Sequence, residues 1–119
     1  MNFKQTLQTL VLLIFTISFT SSVRAQLCSG LTTLTAVSGS ISDGSGSGNY
    51  ANNANCSWLI QPTGNPASIT FTMDSLDLAG NIDAVSVYDG TSAAGTLIAI
   101  FRGTNLGNSV IANSGSMFV

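Results

Sequence analysis

The sequence predicts an all-β fold, an antiparallel β-sandwich, for everything after the first 25 residues, and three observations carry that prediction. No segment beyond residue 26 shows a helical period. Short runs rich in Val, Ile, Leu, Thr and Phe recur about every dozen residues, with Gly, Asn, Asp, Ser and Pro between them. Within "SITFTM" (68–73), Ile69, Phe71 and Met73 alternate with Ser68, Thr70 and Thr72, as in a strand with one face in a core and the other in water.

Residues 1–25 are a different kind of segment. Lys4 gives a positive start, "LVLLIFTISF" (10–19) is an apolar run too short for a membrane span, and "SSVRA" sets small residues before a cut ahead of Gln26. This reads as a secretory signal peptide, so the chain is expected to be exported, with no membrane span in its mature part. The domain is then 26–119, a single small unit.

The elements follow in order. "LTTLTAV" (31–37) is the first expected strand, and "SGSISDGSGSGN" (38–49) is a loop that resembles a linker only in composition. "CSWLIQ" (56–61) puts Cys56, Trp58 and Ile60 on one face, which makes Trp58 a core residue. After "SITFTM" come "AVSVY" (84–88) and "TLIAIF" (96–101), joined by a loop with an Asp89-Gly90 turn. "TLIAIF" is apolar on both parities, so it is expected to be central in a sheet or covered on both sides. "SVIA" (109–112) and "SMFV" (116–119) complete the set. Phe71, Val85, Val87 and Phe101 join Trp58 in the expected core.

Composition excludes most chemistry. The chain has no histidine and no glutamate, and the exported part has no lysine. Histidine-based triads, His-ligated zinc, Schiff-base lysines and lysine-bearing phosphate loops are thereby removed. What remains is aspartate alone, and none of the five stands in an Asp-Thr-Gly or Asp-Ser-Gly triplet, so no enzyme is expected. Arg102 is the single cation of the exported part, which makes nucleic acid and anionic membranes poor partners. Cys28 and Cys56 are the only cysteines, and in an exported chain they are expected to form one disulfide.

The aspartates divide by position. Asp74 and Asp77 read as solvated turn residues, and Asp89 reads as a turn residue. Asp83 shares parity with Val85 and Val87, so it faces the core side at a strand's start. A carboxylate there lies at the rim, accepts hydrogen bonds or binds a metal.

Taken together these pieces resemble a CUB domain, a disulfide-bonded extracellular β-sandwich of jelly-roll type. The carriers are Cys28, "SGSISDG" (38–44), Tyr50 followed by "CSWLI" (56–60), "ITFTMDSLDL" (69–78), "DAVSVYDG" (83–90), "LIAIFRG" (97–103) and "VIANSGSMFV" (110–119). The resemblance spans the mature chain. It implies an interaction module binding an extracellular protein or a glycan, within a larger multidomain protein. A spacer or adhesive unit of a surface protein, or a targeting unit beside a secreted enzyme, is the alternative.

The departures from the family pattern are specific. Members often carry a second disulfide, from just before the position of Asp83 to the position of Arg102; "AGNID" and Arg102 stand there instead. The family's last strand, with its glycine-phenylalanine pair, has no counterpart by Val119, so the domain is expected to be incomplete there and poorly soluble alone. Many members bind calcium through a glutamate and two aspartates supported by a tyrosine. Carried over, Asp83 matches the first aspartate and Tyr50 the tyrosine. Asp77 is the stand-in for the glutamate, and the second aspartate has no match. Calcium is therefore the cofactor implied, through an oxygen-only donor set.

Overall fold

The computed structural model describes residues 27–119, and the signal-peptide reading of 1–25 lies outside them. Nine strands follow in order: β1 (Gly30–Leu34), β2 (Cys56–Ile60), β3 (Ile69–Met73), β4 (Leu76–Asp77), β5 (Val85–Asp89), β6 (Thr96–Phe101), β7 (Thr104–Asn105), β8 (Asn108–Ala112) and β9 (Met117–Phe118). The described residues contain no helix, and so none long and apolar enough to cross a membrane.

One layer is a five-stranded sheet in the order β1-β2-β9-β5-β6; the β3–β8 ladder faces it, and β4–β7 forms a third short ladder. The alternation in β3 is realised as expected. Thr70 and Thr72 are exposed, Met73 is buried, and Ile69 and Phe71 pack on the core. On the outer side the Thr72 and Ser109 hydroxyls, paired in the β3–β8 register, share a hydrogen bond of 2.8 Å.

The core lies between the layers. Met73, Val87, Phe101, Ala112, Met117 and Val119 are buried, with Trp58, Phe71 and Val85 packed against them, so all five expected core residues are there. Val87 and Met117 are wholly inaccessible, and each such side chain contributes about 1.5–3 kcal/mol. The rings of Phe71 on β3 and Phe101 on β6 meet across the layers at 6.4 Å, tilted by 47°. The segment "SMFV" supplies the middle of the large sheet: Leu59 and Ile60 pair with Phe118 and Met117 on one side, Tyr88 and Asp89 on the other. Val119 extends the pairing by exchanging both backbone hydrogen bonds with Trp58.

Cys28 and Cys56 form the expected disulfide, with Cα atoms 5.4 Å apart. The bridge fixes the entry to β1 beside the entry to β2, where Gly30 is in register with Cys56.

Four expectations are corrected. The β1–β2 ladder is parallel, not antiparallel; the chain from 35 to 55 is long enough for the crossover that a parallel pair needs. The first strand ends at Leu34 rather than residue 37. Asp77 belongs to the short strand β4, in register with Thr104, and is not a turn residue, although it is exposed. Finally, β6 is neither central nor covered on both sides, because it forms an edge of the large sheet. Its two apolar parities have another cause. A register shift against β5 between Val87 and Tyr88 leaves Ile98 and Ala99 both packed toward the core with Phe101, while Leu97 and Ile100 face out, 47% and 48% exposed.

Candidate functional site: the Tyr50–Asp83 loop cluster

The glycine-serine loop that leads to Tyr50 is tied down. The Asp43 carbonyl accepts from the Cys28 N–H at 2.8 Å, and Asp43 Oδ1 accepts from both the backbone N–H and the hydroxyl of Ser45 at 2.9 and 2.8 Å. This Asx turn gives the loop a defined exit. Ile41, at its start, packs on the core.

Tyr50 at the loop's end joins two other segments. Its hydroxyl donates to Asp83 Oδ2 at 2.5 Å and accepts from the Ala79 N–H at 3.0 Å. Ala79 follows β4 and Asp83 precedes β5, so one phenol pins both ends of the intervening loop. Asp83 is half-buried and accepts this hydrogen bond at the rim, as two of the three readings of its position expect. The hydrogen bond to Asp83 is the main cause that holds the Tyr50 hydroxyl above its ordinary value of 10.0; the charges of Asp83 and Asp77 push the same way, and the Ala79 N–H opposes them.

The same loop is held from its other side. The Arg102 guanidinium donates from Nη1 to the Asn81 carbonyl at 2.9 Å, and the Leu78 N–H donates to the Gly103 carbonyl at 3.1 Å. Arg102 thus links the two segments that the family's second disulfide joins. The residue stands where a cysteine of the pattern is missing, and that coincidence was the one signal in the sequence for its role. Ile82, at the crest of the loop, is 88% exposed.

Asp89 lies away from this cluster. Its carboxylate accepts from the backbone N–H of Asn113 at 2.9 Å and of Ser114 at 3.0 Å, and so ties the end of β5 to the β8–β9 loop. Hydrogen bonding to Ser114 and Asn113 lowers its pKa below the ordinary 3.8. Its part is structural, as expected, but it works through another loop rather than its own turn. Gly115 in that loop has φ +81°, and a Cβ there would lie 2.8 Å from the Pro66 carbonyl oxygen.

The cluster's chemistry is that of hard oxygens without a nucleophile or base pair. Among the described residues no group of three or more His, Cys, Asp or Glu side chains is placed to hold a metal. The donor set is right in kind for calcium and short in number, since Asp83 is positioned, Asp77 is near enough to act on Tyr50 by its charge, and no third carboxylate joins them.

The comparisons agree with this architecture. The CUB domain family model matches residues 28–119. Over 74 residues the chain is 36% identical to the proteins named multiple epidermal growth factor-like domains protein 8 of Rattus norvegicus, Mus musculus and Homo sapiens. That match covers 62% of this chain and 3% of each relative, so the chain corresponds to a small part of those proteins. No solved structure matches. With the family pattern, the disulfide, the β-sandwich and the tyrosine-aspartate pair all present, the chain belongs to the CUB domain family.

Proposed function

We propose that this chain is an exported, non-catalytic interaction module that binds an extracellular protein or a glycan through the loop end built around Tyr50, Asp77 and Asp83. The observation that carries the reading is the Tyr50 hydroxyl held between Asp83 and the Ala79 amide, which presents an exposed acidic loop on a fixed base. Its match to a small stretch of long relatives named for multiple EGF-like domains supports a unit within a larger multidomain protein. The lack of histidine and glutamate supports a role without catalysis.

Calcium is the cation such a site would take, with Asp83 and Asp77 as its side-chain ligands. Two carboxylates fall short of the six to eight oxygens the ion uses, so backbone carbonyls and water would supply the rest, and binding is weak, in the millimolar range of extracellular modules. Calorimetric titration with calcium checks this: heat from the exported chain that is lost in Asp83→Asn supports the site, and no heat sinks it. For the wider reading, the exported chain is applied to immobilised glycans and extracellular proteins. Capture weakened by Asp83→Asn and Tyr50→Phe places the site here, and capture indifferent to both moves it elsewhere.

A further inference from the structure

One motif lies outside the Tyr50–Asp83 cluster. Asn55, Cys56 and Ser57 form an Asn-X-Ser triplet, the acceptor sequence for an N-linked glycan, and no other asparagine of the chain stands two residues before a Ser or Thr. Its middle residue is a bridged cysteine, so its use depends on where the three side chains point.

The fold separates them. A tight turn, closed by the Ala54 N–H donating to the Ala51 carbonyl at 3.1 Å and holding Asn53 at φ +57°, delivers Asn55 to the start of β2. Side chains alternate from there along the extended chain. Trp58 and Ile60 pack on the core, and Cys56 shares their parity and reaches Cys28. Asn55 and Ser57 have the other parity and stand together on the outer side, away from the bridge. Asn55 is exposed; its carbonyl accepts from the Gly30 N–H at 3.0 Å, while among the described residues no hydrogen bond engages its side-chain amide. The amide is therefore accessible and spare.

The surroundings give the modification a task. β1 is an edge of the large sheet, and Leu31, in register with Ser57, is 60% exposed. The segments 27–37 and 51–61 carry no charge and no proline, and the β1–β2 register runs through five pairs without a bulge. Natural sheets blunt such an edge with a charge, a proline or a bulge, or cover it. We propose that Asn55 carries an N-linked glycan, whose first sugars cover the β1 edge beside Leu31. The occupant is fixed by the acceptor triplet rooted at that corner.

The chemistry is a substitution at the anomeric carbon of a polyprenyl-pyrophosphate-linked oligosaccharide in the export compartment. The bond from Asn55 Nδ2 to that carbon forms, the carbon's bond to the pyrophosphate oxygen breaks, the amide gives up one proton, and the polyprenyl pyrophosphate leaves. The Ser57 hydroxyl completes the triplet that the transferase reads.

The test takes the exported protein from the cells that make it and treats it with peptide N-glycosidase in heavy-oxygen water. A fall in apparent mass is expected, with Asn55 converted to labelled aspartate, read by tandem mass spectrometry of the peptide that contains it. Made in the same cells, Ser57→Ala keeps Asn55 and the bridge and should lose the modification, whereas Ser57→Thr should retain it. Sedimentation across a concentration series reads the edge: the treated protein should self-associate more than the untreated one, and Leu31→Lys should suppress the difference. Treated protein that associates no more than untreated overturns the covering of the edge, and modification that survives Ser57→Ala overturns the site. The proposal rests on the reading of the chain as exported. A chain missing from the exported fraction overturns both, and a chain exported but bare at Asn55 overturns this proposal alone.

Discussion

The Tyr50 hydroxyl donates to Asp83 Oδ2 across 33 residues of sequence and accepts from the Ala79 amide, so three segments of the chain meet at one oxygen. Removing that oxygen releases all three. Tyr50→Phe is expected to lower the melting temperature by about 2–5 °C and to speed amide exchange at Ala79. The effect depends on pH in a defined direction. The folded pKa of Tyr50 is raised, so its stabilisation is complete below the ordinary value of 10.0 and is lost as pH rises through the folded value. The gap in denaturation midpoint between wild type and Tyr50→Phe should therefore close above pH 10, and a constant gap there would speak against this role.

Asp89 acts at the other end of the scale. Its folded pKa is lowered, so its stabilisation is present above the ordinary 3.8 and is lost as pH falls through the folded value. Asp89→Asn keeps a single acceptor oxygen for two amides. Its destabilisation should be largest near neutral pH and should shrink on acidification, read from urea midpoints at a series of pH values.

The disulfide joins Cys28 and Cys56, 28 residues apart. Replacing both by serine is expected to cost about 3.5 kcal/mol on the chain-entropy model, a large share of the stability of so small a domain. Chemical denaturation with and without reductant gives the value.

Arg102 is exposed, so Arg102→Ala should change the melting temperature little. Its expected effect is local, as faster exchange at residues 79–83 and weaker binding at the loop end. Arg102→Lys keeps a donor and should recover part of both. If the loop is as protected in Arg102→Ala as in wild type, the guanidinium does not hold it.

Gly115 combines φ +81° with the close Pro66 carbonyl, so Gly115→Ala must shift the β8–β9 loop. A loss of about 1–3 kcal/mol is expected. Gly46, also at positive φ (+64°) but with open space around it, provides the comparison, and Gly46→Ala should cost less.

The strands themselves were legible in the sequence, because alternation is local: Ile69, Phe71 and Met73 declare a face whatever the partner strand. The disulfide was legible because only two cysteines exist, and Tyr50 and Asp83 were legible through the family pattern. Their direct hydrogen bond was not, since it joins residues far apart in sequence whose distance depends on how the loops fold. Nor were β4 and β7, two residues each and too short to show a period. Arg102 and Asp89 bond to backbone groups of distant loops, and any residue can offer those.

By itself, then, the sequence determined the all-β class, the faces of the strands, the core residues, the single bridge and the absence of histidine or glutamate chemistry. Only the tertiary structure decided which strands are neighbours: that β1 runs parallel to β2, that "SMFV" lies in the middle of the sheet, and that the apolar β6 lies at its edge. The physical reason is that a strand's pattern records whether each side is wet or dry, whereas its place in the sheet is set by backbone pairing between segments far apart in the chain, and backbone groups are the same in every residue but proline.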